Sequence, residues 1–353
     1  MLYRTIQGTL ARNFEVMAIG AALPAVADRI VPMVKVPAIP FPLQPSYLLA
    51  LPGSWFVPRL EAFDPDLLHL QSPCPLGFQA LNFALERQIP VVATYHTHFP
   101  SYLRYYRLER MQFLVWRLLR SFYGQVDRTF VASKARLSEL QQHGIANLQY
   151  LPNGVDLDQF SPVHRSAGWR SRLGVSDQAV VLFVSRLVWE KNLLVLKDMY
   201  NILRTRRHDF RMVVIGDGPA RTTLESLMPG AVFLGYQQGK SLAESYASSD
   251  IFVFPSVTET FGNVVLEAMA SGLACVTVRA GPPGEIMGDG GSGLFAAPDP
   301  HDLAANVEWL LNHPDQWPVL GSGARQRAQQ FLWDEVLDQL FARYAEVVEA
   351  SRS

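Results

Sequence analysis

Two carboxylates beside a helix start mark where this chain can do chemistry. In the segment Ile251–Gly272, IFVFPSVTETFGNVVLEAMASG, the apolar run IFVFP predicts a buried strand and SVTET a polar loop. From Phe261 onward, FGNVVLEAMA predicts an apolar helix with Gly262 in its first turn. The unpaired N–H groups around Phe261, Gly262, Asn263 and Val264 would form an anion site, and glycine permits close backbone approach. Glu259 stands just before that site; Glu267 lies about 9 Å further along at 1.5 Å per residue. Phosphates on the N–H groups would leave sugar hydroxyls within reach of Glu259 and ribose hydroxyls within reach of Glu267, and a carboxylate can accept two such hydrogen bonds. A solvated loop acid is the alternative for Glu259. Glu267 interrupts an otherwise apolar helix, so it needs a partner, and that partner could be structural.

A second element, SRLVWEKN at 185–192, follows the apolar run Val180–Val184. Arg186 and Lys191 at a strand's carboxyl end could neutralise a diphosphate, the arginine by paired oxygen contacts. Surface ion pairs with Glu190 are the alternative. A third, VVIGDGPAR at 213–221, runs from a strand into a turn through Gly216 and Gly218; alone it is weak, because glycine often serves only geometry.

The elements that must hold these residues alternate between short β-rich runs and longer helical patterns. Expected strands are Phe14–Ile19, Val31–Val36, Leu67–Gln71, Val91–Tyr95, Thr129–Ala132 and Leu148–Leu151, then Val180–Val184, Met212–Ile215, Val232–Leu234, Ile251–Phe254, Cys275–Val278 and Leu294–Ala296. Continuous apolar strands between helices predict an α/β chain of two doubly wound, Rossmann-like domains whose parallel sheets are covered on both faces, with a ligand cleft at the carboxyl ends of the strands. The expected division is 1–155, 156–335 and a C-terminal helix over 336–353 packing back on the first domain. The stretch Pro152–Asp177, rich in turn residues, reads as the interdomain connection. Residues 2–12 predict a helix followed directly by a strand, whereas a doubly wound domain normally opens with a strand and a glycine-rich turn. The expectation is that both are missing here.

Taken together, the three elements in this order resemble the retaining glycosyltransferases of family four, which adopt the two-domain GT-B fold. Glu259 and Glu267 match the family's E-x7-E motif, Arg186 and Lys191 its cation pair, Gly216, Gly218 and Pro219 its G-x-G-P turn, and NGVD at 153–156 its interdomain signature. The resemblance implies Arg186 and Lys191 on the diphosphate, Glu259 on the transferred sugar and Glu267 on the ribose. YHTHFPSYLRYY at 95–106 implies His96 on the sugar; His98 departs from the Asp of many relatives. YHTH and SRLVWEKN look most like GDP-mannose-dependent α-mannosyltransferases of bacterial glycolipid assembly, which implies a lipid or glycan acceptor. UDP-sulfoquinovose:diacylglycerol sulfoquinovosyltransferase is the alternative, and a non-catalytic nucleotide-sugar binder the reading if the opening loop is lost. No cofactor is expected beyond the nucleotide-sugar itself.

Composition narrows the partners. Net charge is −1, so nucleic acid is not expected. Residues 1–160 nevertheless carry 14 Lys and Arg against 11 Asp and Glu. On the helix expected over 101–123, Leu108, Met111, Val115, Leu118, Leu119 and Phe122 gather on one side. Arg107, Arg110, Arg117 and Arg120 lie on the other with Tyr106, Phe113 and Leu114, a face suited to an anionic membrane surface. An ordinary solvated face is the alternative. Two cysteines far apart fit a reducing cytoplasm, so the expected location is cytoplasmic with peripheral contact at the inner membrane face. No metal is expected, since Asp64–Asp66 and Asp156–Asp158 read as turn residues and His96 with His98 lacks a third ligand.

Overall fold

The computed structural model describes residues 2–21, 31–41, 44–51, 53–100, 109–175 and 177–352. The chain forms two compact units, Met1–Pro152 with Trp333–Ser353, and Asn153–Leu332.

The second unit is built on β9 (Ala179–Val184), β10 (Phe210–Ile215), β11 (Val232–Phe233), β12 (Ile251–Phe254), β13 (Ala274–Val278) and β14 (Gly293–Ala296). They form one parallel sheet in the order β11-β10-β9-β12-β13-β14. Full burial of Val181, Leu182, Phe183, Ile251, Phe252 and Phe254 explains why these strands read as unbroken apolar runs. The order reverses between β9 and β12, and their carboxyl ends form the switch point where open α/β sheets take ligands. Helices α7 (Leu193–Arg206) and α10 (Asn263–Ala270) leave the sheet from those two strands.

Pro152–Asp177 is more than a connection. From Asn153 it belongs to the second unit, with the Val155 N–H on Phe331 O at 2.7 Å and a helix, α6 (Ala167–Arg172), capped by Ser166. Buried Trp169 donates from Nε1 to Ser245 Oγ at 3.1 Å, and Arg170 reaches Asp250 at 3.0 Å. A single buried tryptophan supplies the apolar area that turn-rich composition concealed.

In the first unit, β5 (Leu68–Leu70), β6 (Val91–Tyr95), β7 (Arg128–Val131) and β8 (Leu148–Tyr150) form a parallel sheet. A separate parallel pair joins β1 (Ala18–Gly20) to β2 (Met33–Lys35). The expected strand from Phe14 is thus confined to its end; Phe14 instead stacks on Phe341 at 5.6 Å. Two elements escaped the sequence reading: the antiparallel hairpin β3 (Ala38–Phe41) with β4 (Gln44–Ala50), and the short α2 (Val57–Phe63). Helices α1 (Leu2–Ala11), α3 (Pro75–Glu86), α4 (Gln112–Tyr123), α5 (Lys134–Gln142) and the C-terminal α14 (Trp333–Arg352) complete the unit. Val336, Leu337, Leu340 and Val347 of α14 share one apolar cluster with Val92 and Phe130.

Candidate functional site

The switch point explains how residues 68 positions apart meet. β9 and β12 pair directly through Val181 with Ile251 and Leu182 with Phe252, so the loops at their carboxyl ends emerge side by side. Lys191 Nζ lies 2.7 Å from Glu259 Oε1, and Ser256 Oγ donates to the same oxygen at 2.9 Å. Thr258 Oγ1 donates to Glu190 O at 3.0 Å, and Asn192 Nδ2 to Pro255 O at 2.9 Å. The two loops are therefore stitched together by side chains from both. Lys191 is buried and Glu259 half-buried, so the ion pair is better shielded from water than a surface pair.

The sequence reading set Lys191 on the diphosphate and Glu259 on the sugar; the structure brings them together as one pair. An ammonium has three donors and Glu259 occupies one. Arg186 is exposed and 3.7 Å from Glu190 Oε1, the ion pair foreseen as the alternative. Burial pushes the Glu190 carboxyl upward, against the pull of Lys191 and Arg186.

Gly216 has a demanding geometric reason of its own. At φ +132°, a Cβ there would meet Ser185 O at 1.8 Å. The turn after β10 lies against the backbone of 185–187, with the Leu187 N–H on Asp217 O at 2.8 Å. Gly216 thereby fixes the path of the chain that presents Arg186.

At α10 the cap residue is Gly262, at φ +112° and ψ 50°, and no side chain caps the helix. Glycine is needed here for its dihedral angles, since a Cβ would make only ordinary contacts of 3.5 Å and beyond. The helix start thus offers backbone N–H groups to an anion. Phe261 buries its ring against Phe331, so only its backbone can serve a ligand. Asn263 is exposed and accepts from Asn153 Nδ2 at 2.8 Å, which ties the NGVD segment to the helix start; Val264 is half-buried.

Glu267 has the partner its setting demanded. Buried Tyr246, on α9 (Gly239–Ala247), donates to Glu267 Oε2 at 3.0 Å. Burial raises the Glu267 carboxyl to about 7, despite the lowering effect of that hydrogen bond. Sequence reasoning missed Tyr246 because nothing local links α9 to α10; its only signal was the unexplained acid in an apolar helix.

His96 belongs to the other unit. It follows β6, with Nε2 2.6 Å from Gln71 Oε1, and burial lowers its pKa to about 4. The neutral ring donates from Nε2 to the amide oxygen, which makes Nδ1 an acceptor. His98 is buried and donates from Nε2 to Glu139 at 2.9 Å, and Glu139 also pairs with Arg136 at 2.7 Å. Its pKa is lowered to about 3, by burial first and then by Arg136. His69 lies 2.6 Å from both Tyr344 Oη and Thr94 Oγ1, fastening α14 to the sheet.

Asp64 sits in the left-handed region at the end of α2, and Asp156 Oδ1 accepts from the N–H groups of Asp158 and Gln159, so both serve turns. Among the described residues no three His, Cys, Asp or Glu side chains group as metal ligands.

Helix α4 differs from its expected disposition. Trp116, Leu119, Phe122 and Tyr123 are buried, while Met111, Phe113, Leu114 and Leu118 are exposed. Trp116 draws the buried side round toward itself, which turns Met111 and Leu118 out beside Arg110, Arg117 and Arg120. Tyr106, Arg107 and Leu108 lie outside the described residues.

Comparison with known proteins identifies the family. Residues 178–313 match the family described as Glycosyl transferases group 1, and residues 1–159 match Glycosyltransferase Family 4. A GDP-mannose-dependent alpha-mannosyltransferase of Corynebacterium glutamicum is 32% identical over 91% of this chain and 77% of its own length. The sulfoquinovosyl transferase of Arabidopsis thaliana is 35% identical over 78% of this chain and 56% of its own. In fold, Anabaena HepE in complex with UDP and glucose superposes with a TM-score of 0.77 at 19% identity, covering 97% of this chain and 95% of that one. By sequence over nearly its whole length, and by fold, this chain belongs to the family-four glycosyltransferases of the GT-B class.

Proposed function

We propose that this glycosyltransferase moves mannose from GDP-mannose to a lipid or glycan acceptor with retention at the anomeric carbon. The observation that carries the reading is the Lys191–Glu259 pair beside the uncapped start of α10. Cation and helix N–H groups suit a diphosphate, and the carboxylate suits sugar hydroxyls. The donor is inferred from the mannosyltransferase likeness over 91% of the chain.

In this reading, the bond from the sugar's C1 to the leaving phosphate oxygen breaks as the acceptor oxygen bonds to C1 on the same face. The acceptor's proton passes to the leaving phosphate. Arg186, Lys191 and the α10 start stabilise the charge that develops there. Glu259, held by Lys191 and Ser256, and His96, held by Gln71, orient the sugar, while Glu267 takes the ribose. No metal or cofactor is assigned a step.

The acceptor side is assigned to a membrane surface. On α4 and the turn that leads into it, exposed Met111, Phe113, Leu114 and Leu118 adjoin Arg110, Arg117 and Arg120. Apolar insertion combined with anionic-headgroup attraction is the usual basis of peripheral binding. No helix among the described residues is long and apolar enough to cross a membrane.

Sulfoquinovosyl transfer from a UDP donor is the second reading, favoured by the 35% identity to the Arabidopsis enzyme. A donor panel with membrane lipid extract, read by mass spectrometry, separates the two. Consumption of GDP-mannose with a mass gain of one hexose supports the first reading, and consumption of UDP-sulfoquinovose the second. If no donor is bound or consumed and Glu259→Ala changes nothing, both fail.

A further inference from the structure

At the amino end of the second unit's sheet, away from the switch point, lies a basic cavity that the transfer reaction does not use. It encloses about 210 Å³ and is lined by Gln178, Tyr200, Arg204, Arg207, His208 and Arg211, among others. Gln178 precedes β9, Arg211 is the second residue of β10, and Tyr200 and Arg204 lie one turn apart on α7. β9 spans six residues. Roughly 20 Å of strand, at 3.3 Å per residue, therefore separates this cavity from the loop that carries Arg186 and Lys191.

The charge of this cavity is unbalanced. Among the described residues no carboxylate lines it. Arg207 has an acid of its own: Nε and Nη2 donate to Asp209 at 2.9 and 2.5 Å, and Nη1 donates to Asn312 on α12 (Pro300–Asn312). Arg206, outside the lining, pairs with Glu308 at 3.1 Å. Arg204 and Arg211 have no ion pair among the described residues. Arg211 is half-buried, donates to Gly230 O at 3.2 Å, and has no acceptor for its buried Nε. A guanidinium withdrawn from water with most of its five donors unspent is costly unless an anion meets it. Attraction to the carbonyl end of α7 accounts for Arg204 but not for Arg211, which stands on a strand. Burial raises the Tyr200 hydroxyl pKa, and Arg204 and Arg211 both pull it down, so the two cations converge on one place.

We propose that this cavity binds a phosphate monoester at a site separate from the donor site. The dianion lies between Arg204 and Arg211, whose planar guanidinium groups suit paired contacts with phosphate oxygens. The Tyr200 hydroxyl already donates to Pro229 O at 2.8 Å, so toward a ligand it acts as an acceptor, for a hydroxyl beside the phosphate. Tyr200 and Phe210, edge to face at 6.3 Å, give the ester's carbon atoms an apolar wall. The volume is below the roughly 300–1,000 Å³ of sites for drug-sized ligands, so the occupant is a phosphate with a few further atoms, not a nucleotide-sugar. A free phosphate ester and a phosphomonoester lipid headgroup share this chemistry.

The test is calorimetric titration of the full chain with inorganic phosphate and with glycerol 3-phosphate, at an ionic strength held constant with chloride. GDP and UDP are both present in excess, so that the donor site is filled. Arg204→Gln and Arg211→Gln should each weaken binding about 10-fold or more, the usual effect of losing a charge-assisted contact. Arg206→Gln, next to the cavity but outside its lining, should leave binding unchanged. Arg204 and Arg206 are exposed, so this comparison stands even if Arg211→Gln fails to fold. Vesicles of phosphatidic acid in phosphatidylcholine identify the source. Loss of binding on Arg204→Gln in the vesicle arm alone assigns the site to a lipid headgroup, and loss in the soluble arm to a free ester. If neither soluble phosphate nor phosphatidic acid binds, or if Arg206→Gln weakens binding as much as Arg204→Gln, the cavity is not a phosphate site.

Discussion

Lys191 Nζ and Glu259 Oε1 stand 2.7 Å apart, joining the loop after β9 to the loop after β12 across the point where strand order reverses. A cation suited to phosphate and a carboxylate suited to sugar are thereby coupled before any ligand arrives. Removing either changes the electrostatic setting of the other.

That coupling predicts non-additive kinetics. Lys191→Ala and Glu259→Ala should each lower kcat/KM by about 10²–10³-fold, the usual effect of losing one preorganised charge. The double variant should fall no more than about 10-fold below the poorer single, since residues acting as a unit are not additive. Glu259→Gln keeps an oxygen for Lys191 and should retain more activity than Glu259→Ala. A double-mutant cycle measured with whichever donor the panel shows to be consumed checks this, and full additivity would mean that the residues act separately.

Glu267 should impose a pH dependence on stability. Its folded pKa, about 7, exceeds the ordinary 4.5 because of burial, so the folded state binds more protons than the unfolded state between those values. Stability from this group is therefore fully present below about pH 4.5 and declines as pH rises toward 7. Glu267→Gln keeps an acceptor for Tyr246 and carries no charge. Relative to the parent it should gain on the order of 2 kcal/mol between pH 5 and pH 8, at about 1.4 kcal/mol per pKa unit. Urea unfolding at both pH values reads the difference; parallel curves for parent and variant would place Glu267 in water.

Gly216→Ala should destabilise the second unit by about 1–3 kcal/mol, because it combines a disallowed φ with a collision at Ser185 O. Donor affinity should weaken with it, since the displaced backbone carries Arg186. Gly239→Ala, where a Cβ meets nothing within 4 Å but φ is +56°, isolates the backbone term and should cost about 1 kcal/mol with donor affinity unchanged. Thermal unfolding with a donor titration distinguishes the two.

Much of this was legible in the sequence where local pattern and burial coincide. Val91–Tyr95 and Ile251–Phe254 were read to the residue because every position is buried and all but Thr94 are apolar or aromatic. The candidate site residues stood out, since Glu259, Glu267, Arg186 and Lys191 are polar groups in apolar or strand-end settings. Their pairings were not legible. Tyr246 and Glu267 lie on different helices, and Lys191 meets Glu259 only because of sheet order. The hairpin β3–β4 was hidden by Pro37 and Pro40, which argue against strands except at edges. On α4, equal apolar periodicity on neighbouring sides left Trp116 to decide which side is buried.

The exposed side of α4 gives the last prediction. Replacing Arg110, Arg117 and Arg120 with Ser should weaken binding to vesicles of phosphatidylglycerol and phosphatidylcholine by about 10²-fold at low salt, at roughly 1 kcal/mol per basic residue near an anionic surface. Phe113→Ser should reduce binding at every salt concentration, because apolar insertion is not screened as the arginines are. All three arginines and Phe113 lie outside the Lys191–Glu259 site, so transfer to a water-soluble acceptor should survive these changes while transfer to a vesicle-borne one falls. Co-sedimentation at two ionic strengths, paired with both transfer assays, measures each effect. Unchanged sedimentation of the triple arginine variant would leave α4 an ordinary solvated helix.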